Sequence, residues 1–435
     1  MALGGGNFTL QNKVLPGSYM NFVSAANTSQ NNAERGYAAM PVELDWGLDN
    51  AIFTVTAADF QKNCRKIFGY DYTDDKLMGM RDLFRNASTA YLYKLTSGGE
   101  KAENTYAKAL YSGTRGNDLT ITIAANVDTE GAWDVKTYLA TSLVDEQTVT
   151  TASELVPNDF VEFKAAELVE TAGMPLTGGT NGTVEGAAHQ AFLDKVESYT
   201  AINAIGVVTT EETIKSLYAA FTKRMREEVG VKFQTVLYNY AADHEDAVNV
   251  KNKVKDTGAN EASMIYWTTG ITAACAVNAS NTNKVYDGEF TVDAEYTQTE
   301  LETAIKAGEF TFHQVGDDIR VLADINSLVT TTEDKGEIFK SNQTIRVIDQ
   351  IATDIANIFN TKYLGVVSND DDGRVGLWND IVKHHKSLQD IRAIEDFDES
   401  DITVAQGEDK RSVVVTDNIT VVNAMEKLYM TVTVA

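Results

Sequence analysis

The apolar positions of this chain change period several times, and each change marks a segment. Strict alternation runs through Leu119-Thr120-Ile121-Thr122-Ile123, and short β-branched or aromatic runs follow at Trp133 to Leu139, Glu146 to Thr151 and Phe160 to Phe163. Period two sends successive side chains to opposite faces of a strand, so residues 98–176 predict a small β-sandwich or barrel-like insertion. Before it, strands are expected at 42–46, 52–56 and 91–95. Helices are expected at 57–67 and 74–85, the second capped by Thr73. After a glycine-rich stretch at 176–186, helices at 187–199, 211–229 and 244–255 alternate with strands at 204–208 and 233–238. Residues 264–266 are a further strand candidate. Such alternation predicts a layered α/β domain with an at least partly parallel sheet. Short strands return over 282–334, ending at 319–322.

Farther on, Ile345, Ile348, Ile351, Ile355 and Ile358 recur at spacings of three and four. This lines one face of a helix spanning 342–364 for burial. A Gly/Asp turn at 369–373 leads to a second helix at 377–392, where Trp378, Ile381, His385 and Leu388 share a face and Lys383 and Lys386 project from the opposite one. An acidic loop at 395–409 follows. The chain then runs strand-like to its last residue, through Val413-Val414-Val415 and Val421-Val422 and again from Leu428 to Val434. Chain ends ordinarily drift polar, because a terminus without partners cannot offset its own ordering entropy. An apolar end needs a sheet edge. Val413, Val415, Val421, Leu428, Met430, Val432 and Val434 are therefore expected to pair or pack in a sheet shared between subunits. At the other end GGG at 4–6 opens an arm of two short extended pieces around Pro16-Gly17, with Val14, Tyr19, Phe22 and Val23 as its joining residues. The expected divisions are 1–23 (arm), 24–97 (first part of the α/β core), 98–176 (sandwich), 177–325 (central α/β), 326–411 (C-terminal domain) and 412–435 (arm).

Composition narrows the function. The chain has 435 residues, 43% of them hydrophobic, which is enough for two to four domains. Its 37 Lys and Arg stand against 63 Asp and Glu, a formal charge of -26. Phosphate backbones repel such a chain, so nucleic acid is excluded as a partner unless a basic patch is segregated. Cys64 and Cys275 lack any CxxC spacing and read as buried small hydrophobes in a reducing compartment. The start MALGGGNFTLQNK is no secretory leader, and no apolar run approaches the roughly 18 residues of a membrane span. Synthesis in a cytoplasm and no membrane binding are expected.

Chemistry is sparse. Gly178, Gly179, Gly182 and Gly186 precede a helix, but without the GK[ST] ending of a phosphate loop they read as a domain-linking turn that permits close packing. Asp370-Asp371-Asp372-Gly373 resembles half a calcium loop, yet position twelve is Asn379, so it reads as a tight turn between helices. The five histidines include no HExxH, and no GxSxG elbow occurs. No catalytic, metal or cofactor residue is proposed. One charge feature stands out. Residues 374–392 carry Arg374, Lys383, Lys386, Arg392, His384 and His385 against Asp380 and Asp390, whereas 393–409 hold seven acids and no Lys or Arg. This is either a solvated helix surface or a basic stripe facing an acidic partner.

Several segments, in order along nearly the whole chain, resemble the contractile tail sheath proteins of myophage-like phages and R-type bacteriocins, closest to the PBSX-like Gram-positive group. They are QNKVLPGSYMNF, MPVELDWG at 40–47, 90–95, YSGTRGNDLTITI at 111–123, LTGGTNG at 176–182, 267–270, DINSLVT at 324–330, YLGVVSN at 363–369 and AMEKLYMTVTV at 424–434. The resemblance implies a mixed α/β multidomain sheath fold with strand-exchanging terminal arms and no enzymatic role. It implies a helical homopolymer of stacked rings around an inner tail tube protein, with baseplate and tail terminator proteins as further partners. Contraction would drive the tube through a bacterial envelope, and Lys383 and Lys386 would face the tube. The rival expectations are a non-contractile capsid or surface-layer protein that also exchanges strands, and a cytosolic hydrolase with a degenerate motif.

Overall fold

The computed structural model describes residues 35–434. The N-terminal arm, with Val14, Tyr19, Phe22 and Val23, lies outside the described residues. The centre is a seven-stranded sheet in the spatial order Glu309–Phe310, Ala247–Val250, Gln234–Tyr238, Ala204–Gly206, Tyr37–Val42, Thr89–Lys94, Ile52–Thr56. All neighbours are parallel except the last pair. Parallel strands covered on both faces carry continuous apolar runs instead of alternation. Accordingly every residue of Gln234–Tyr238 and of Ala247–Val250 is buried. Ala38, Met40 and Val42 face a layer containing the helices Ala57–Phe68, Met78–Phe84 and Met264–Ala274. Ala39 faces the opposite layer, with the helices Gly186–Val196 and Glu212–Arg224.

This burial explains where expectation and structure part. The helix expected at 244–255 is the strand Ala247–Val250, too short and too thoroughly buried to display a period. The strand candidate 264–266 is instead the first turn of Met264–Ala274, a helix buried almost all round and so lacking a polar face. The first strand sits earlier than expected, at Tyr37–Val42. Asp74, not Thr73, caps the turn Asp75–Leu77 that precedes Met78–Phe84. Asp370 caps the helix Asp371–Asp390 by accepting from the Gly373 amide, so the run read as a turn begins a helix, its acids placed at the positive end of the helix dipole.

The sandwich has an antiparallel sheet in the order Ser142–Val149, Trp133–Leu139, Leu119–Ala125, Thr171–Pro175, with Ala107–Ala109 paired to Val161–Phe163 beside it. Leu119, Ile121 and Ile123 point into its core. Trp46 reaches into that core from the central body, its ring 5.2 Å from Tyr111. The join is tight. Gly113 has φ +126, and a Cβ there would lie 2.0 Å from the Asp45 carbonyl oxygen; one at Gly182 would lie 2.1 Å from that of Ser97. The fully buried Lys94 donates to Asp49 Oδ1 (3.0 Å), Ser112 O (2.6 Å) and Ser112 Oγ (3.1 Å) across the same seam. Burial lowers its pKa even with Asp49 adjacent.

Candidate assembly surface

The C-terminal part is built on the helix Asn342–Ile358, capped by Ser341 and continued by a wider turn, Phe359–Tyr363. Ile345 and Ile358 of the isoleucine ladder are buried, while Ile348, Ile351 and Ile355 are half-buried. The helix also buries a polar row. Arg346 meets Asp324 at 2.6 Å, Asp349 takes both terminal nitrogens of Arg226 at 2.7 Å, and Asn342 accepts from Gln234 at 2.8 Å. The helix is thus clasped between the central body and the elements after it.

Those elements begin with Asp371–Asp390. Leu377, Ile381, Val382 and Leu388 are buried, as are both histidines. His384 Nε2 lies 2.9 Å from Asp354 Oδ2, and Gln350 donates to the same carboxylate. His385 Nδ1 lies 3.1 Å from the Ile381 carbonyl oxygen, and its Nε2 is 2.9 Å from Asp417 Oδ2. The histidines therefore leave the basic stripe. Arg374 is paired with Asp371 and Lys386 with Glu399, a residue of the acidic loop. Part of the acidic partner is in the same chain. Lys383 is exposed and forms no ion pair among the described residues.

A hairpin follows, Ile402–Gln406 against Val413–Asp417, with Gln406 opposite Val413 and Val404 opposite Val415. Ile402 is buried against Leu377 and Ile381, and Trp378 Nε1 donates to its carbonyl at 3.0 Å. Thr420–Val421 then pairs with Ile394–Glu395, and Val421 packs against Val277, Val347 and Leu388. The chain is pinned next. Val422 N donates to Ala393 O (3.0 Å), Ala424 N to Gln343 Oε1 (3.0 Å), and Thr282 Oγ1 to Glu426 Oε1 (2.7 Å).

Beyond that clamp the side chains stand in solvent. Leu428 is 86% exposed, Met430 74%, Val432 69% and Val434 89%. Residues 425–434 pair with no strand among the described residues. Among the described residues the stretch from 412 onward divides in two. Val413 and Val421 pack on their own chain and Val415 pairs within its hairpin, because the nearest sheet edge and apolar cluster are local. Leu428, Met430, Val432 and Val434 alternate along a segment that pairs with no strand among the described residues. Alternation does not reveal whether a partner lies in the same chain, so the division near residue 424 had no signal in the sequence.

Four family profiles match in succession: Tail sheath protein Gp18 domain III N-terminal region at 35–95, Phage tail sheath protein beta-sandwich domain at 93–181, Phage tail sheath protein central domain at 182–327 and Phage tail sheath C-terminal domain at 334–435. The chain is 32% identical to the phage-like element PBSX protein XkdK of Bacillus subtilis, over 99% of this chain and all of that one. The crystal structure of a sheath tail protein from Desulfitobacterium hafniense is 36% identical and superimposes with a TM-score of 0.83, over 95% of this chain and 99% of that one. The contracted helical sheath of the anti-feeding prophage shares the fold at 11% identity, with a TM-score of 0.56 over 96% of this chain and 98% of that one.

Proposed function

This chain belongs to the phage tail sheath protein family, and from that premise we propose that residues 425–434 are the strand by which one subunit is joined to the next. The protein is a structural subunit of a contractile tail sheath. A homopolymer within a contractile particle is its working form.

The observation that carries the proposed join is the solvent-exposed alternation of Leu428, Met430, Val432 and Val434 immediately after a clamped root. A strand added to a sheet edge gains ladder hydrogen bonds worth about 0.5–1.5 kcal/mol each and about 1.5–3 kcal/mol per aliphatic side chain buried. The hairpin Ile402–Asp417 supplies a receiving edge, since each of its strands is paired on one side only. Val414 and Val415 are exposed there, at 52% and 38%. Residues Val14, Tyr19, Phe22 and Val23 of the N-terminal arm are proposed to complete the shared sheet. Joined in this way, subunits form stacked rings around an inner tail tube protein, between a baseplate and a terminator. Rigid bodies rotate between two packings while the strands keep them connected, and the change drives the tube through a bacterial envelope. Assembly takes place in the host cytoplasm. Lys383 is the leading tube-facing residue, with Lys386 sharing its charge with Glu399.

Electron microscopy of the purified full chain and of a variant ending at residue 424 tests this. The full chain forms hollow tubes and the shortened one stays monomeric. Tubes from a folded shortened variant would refute the strand assignment.

A further inference from the structure

Where the helix Asn342–Ile358 meets the central body, four cations converge on two carboxylates. Arg226 and Arg346 consume both, Arg226 through Asp349 and Arg346 through Asp324. Asp324 is further occupied by the Asn281 amide at 2.9 Å and Asn342 Nδ2 at 3.0 Å. Glu227, Glu245 and Asp246, farther along, are engaged by His244 and Lys335. Arg35 and Lys232 have no carboxylate within ion-pair distance among the described residues. Arg35 Nη2 donates to Thr272 O at 3.2 Å, but its buried Nε has no acceptor, nor have Nε and Nη1 of the buried Arg346. Lys232 Nζ reaches only the Arg226 carbonyl, at 2.6 Å. Burial and the neighbouring Arg346 push the Arg35 guanidinium down to about 10, and burial with Arg226 lowers Lys232. In a chain with a formal charge of -26, two half-buried cations without a paired carboxylate are a specific feature.

Arg35 and Lys232 line one cavity of about 210 Å³, together with Asn203, Asp349, Gln350 and Thr353. We propose that this cavity is an anion site for a tetrahedral oxyanion of phosphate or sulfate size, held between the Arg35 guanidinium and the Lys232 ammonium. A planar guanidinium with an idle N–H and an ammonium with only one hydrogen bond suit an oxyanion better than a single carboxylate does. Arg35 leads into the first strand, Lys232 follows the Met225–Val229 turn, and the far wall is the helix Asn342–Ile358. The bound anion therefore ties three parts of the body together. The inference is independent of the sheath reading.

The test is thermal unfolding of the full chain while inorganic phosphate replaces chloride at constant ionic strength. The wild type shows a saturable rise in Tm. Lys232→Met weakens the apparent phosphate affinity by roughly tenfold or more, whereas Lys232→Arg retains the response. No rise in the wild type, or an equal rise in Lys232→Met, overturns the proposal. If Lys232→Met does not fold, Arg35→Lys takes its place, with a weakened response supporting the site and an unchanged one overturning it.

Discussion

The sandwich is tied to the central body by backbone pressed on backbone, whereas the C-terminal segment leaves its body with its apolar side chains in solvent. At the first join two glycines admit a carbonyl where any side chain would collide, and a buried lysine bridges Asp49 and Ser112. At the second, a few hydrogen bonds to Gln343 and Thr282 fix the root and leave the strand beyond it without a sheet. One join is complete within the chain. The other, on the proposed reading, is completed by another subunit. The proposed function uses both: bodies that pivot stay rigid while the links between them stay engaged.

Breaking each join separates the two. Ending the chain at residue 424 abolishes tube formation while leaving the monomer's Tm within about 1 °C, since no buried residue is lost; electron microscopy and calorimetry report the two outcomes. Gly113→Ala acts in the opposite sense. It costs about 3 kcal/mol or more in chemical denaturation, because φ +126 is strained for alanine and the new Cβ meets the Asp45 carbonyl. Lys94→Met costs about 2–4 kcal/mol by leaving the Ser112 carbonyl without its donor and Asp49 without its countercharge.

Acid sharpens the contrast. Burial pushes His189, beside Tyr218 in the central body, down to about 4. The native state therefore disfavours the charged imidazole, and the contribution of His189 to stability falls as pH drops from about 6.5 towards 4, by on the order of 3 kcal/mol, while Asp82, pushed up to about 6 by burial, contributes in the opposite sense. Denaturation at stepped pH shows it as the difference between the wild type and His189→Gln, a difference that shrinks from pH 6.5 to 4 and is the same in the chain ending at 424. The smallest effect is expected on the surface. Lys386→Ala changes monomer stability by less than about 0.5 kcal/mol, since its pairing with Glu399 is half exposed.

What the sequence made legible follows from how many faces of an element meet water. Leu119 to Ile123 alternate because one face of that sheet is solvated, so the sandwich could be read directly. Val248 and Val250 lie in a strand buried on both faces, where the sequence pattern predicts a helix. His384 counted as part of a basic stripe because Asp354 is 30 residues away in sequence and adjacent only after folding. Glu399 likewise meets Lys386 through a loop that composition alone made look free. The terminal alternation was legible and its owner was not, because Val413 and Val432 have the same chemistry with opposite surroundings: one packs at home and the other stands in solvent.

The glycine seam has a consequence for lineage and engineering. The sandwich's entry and exit segments run side by side, with Gly182 N on Thr96 O at 2.8 Å and Thr180 N on Glu100 O at 3.1 Å. A loop of a few residues between Ser97 and Gly182 would close the gap, leaving Trp46 and Lys94 as the scar to be covered. The sandwich thus leaves and rejoins the body at one point, a geometry that would suit another module with neighbouring ends.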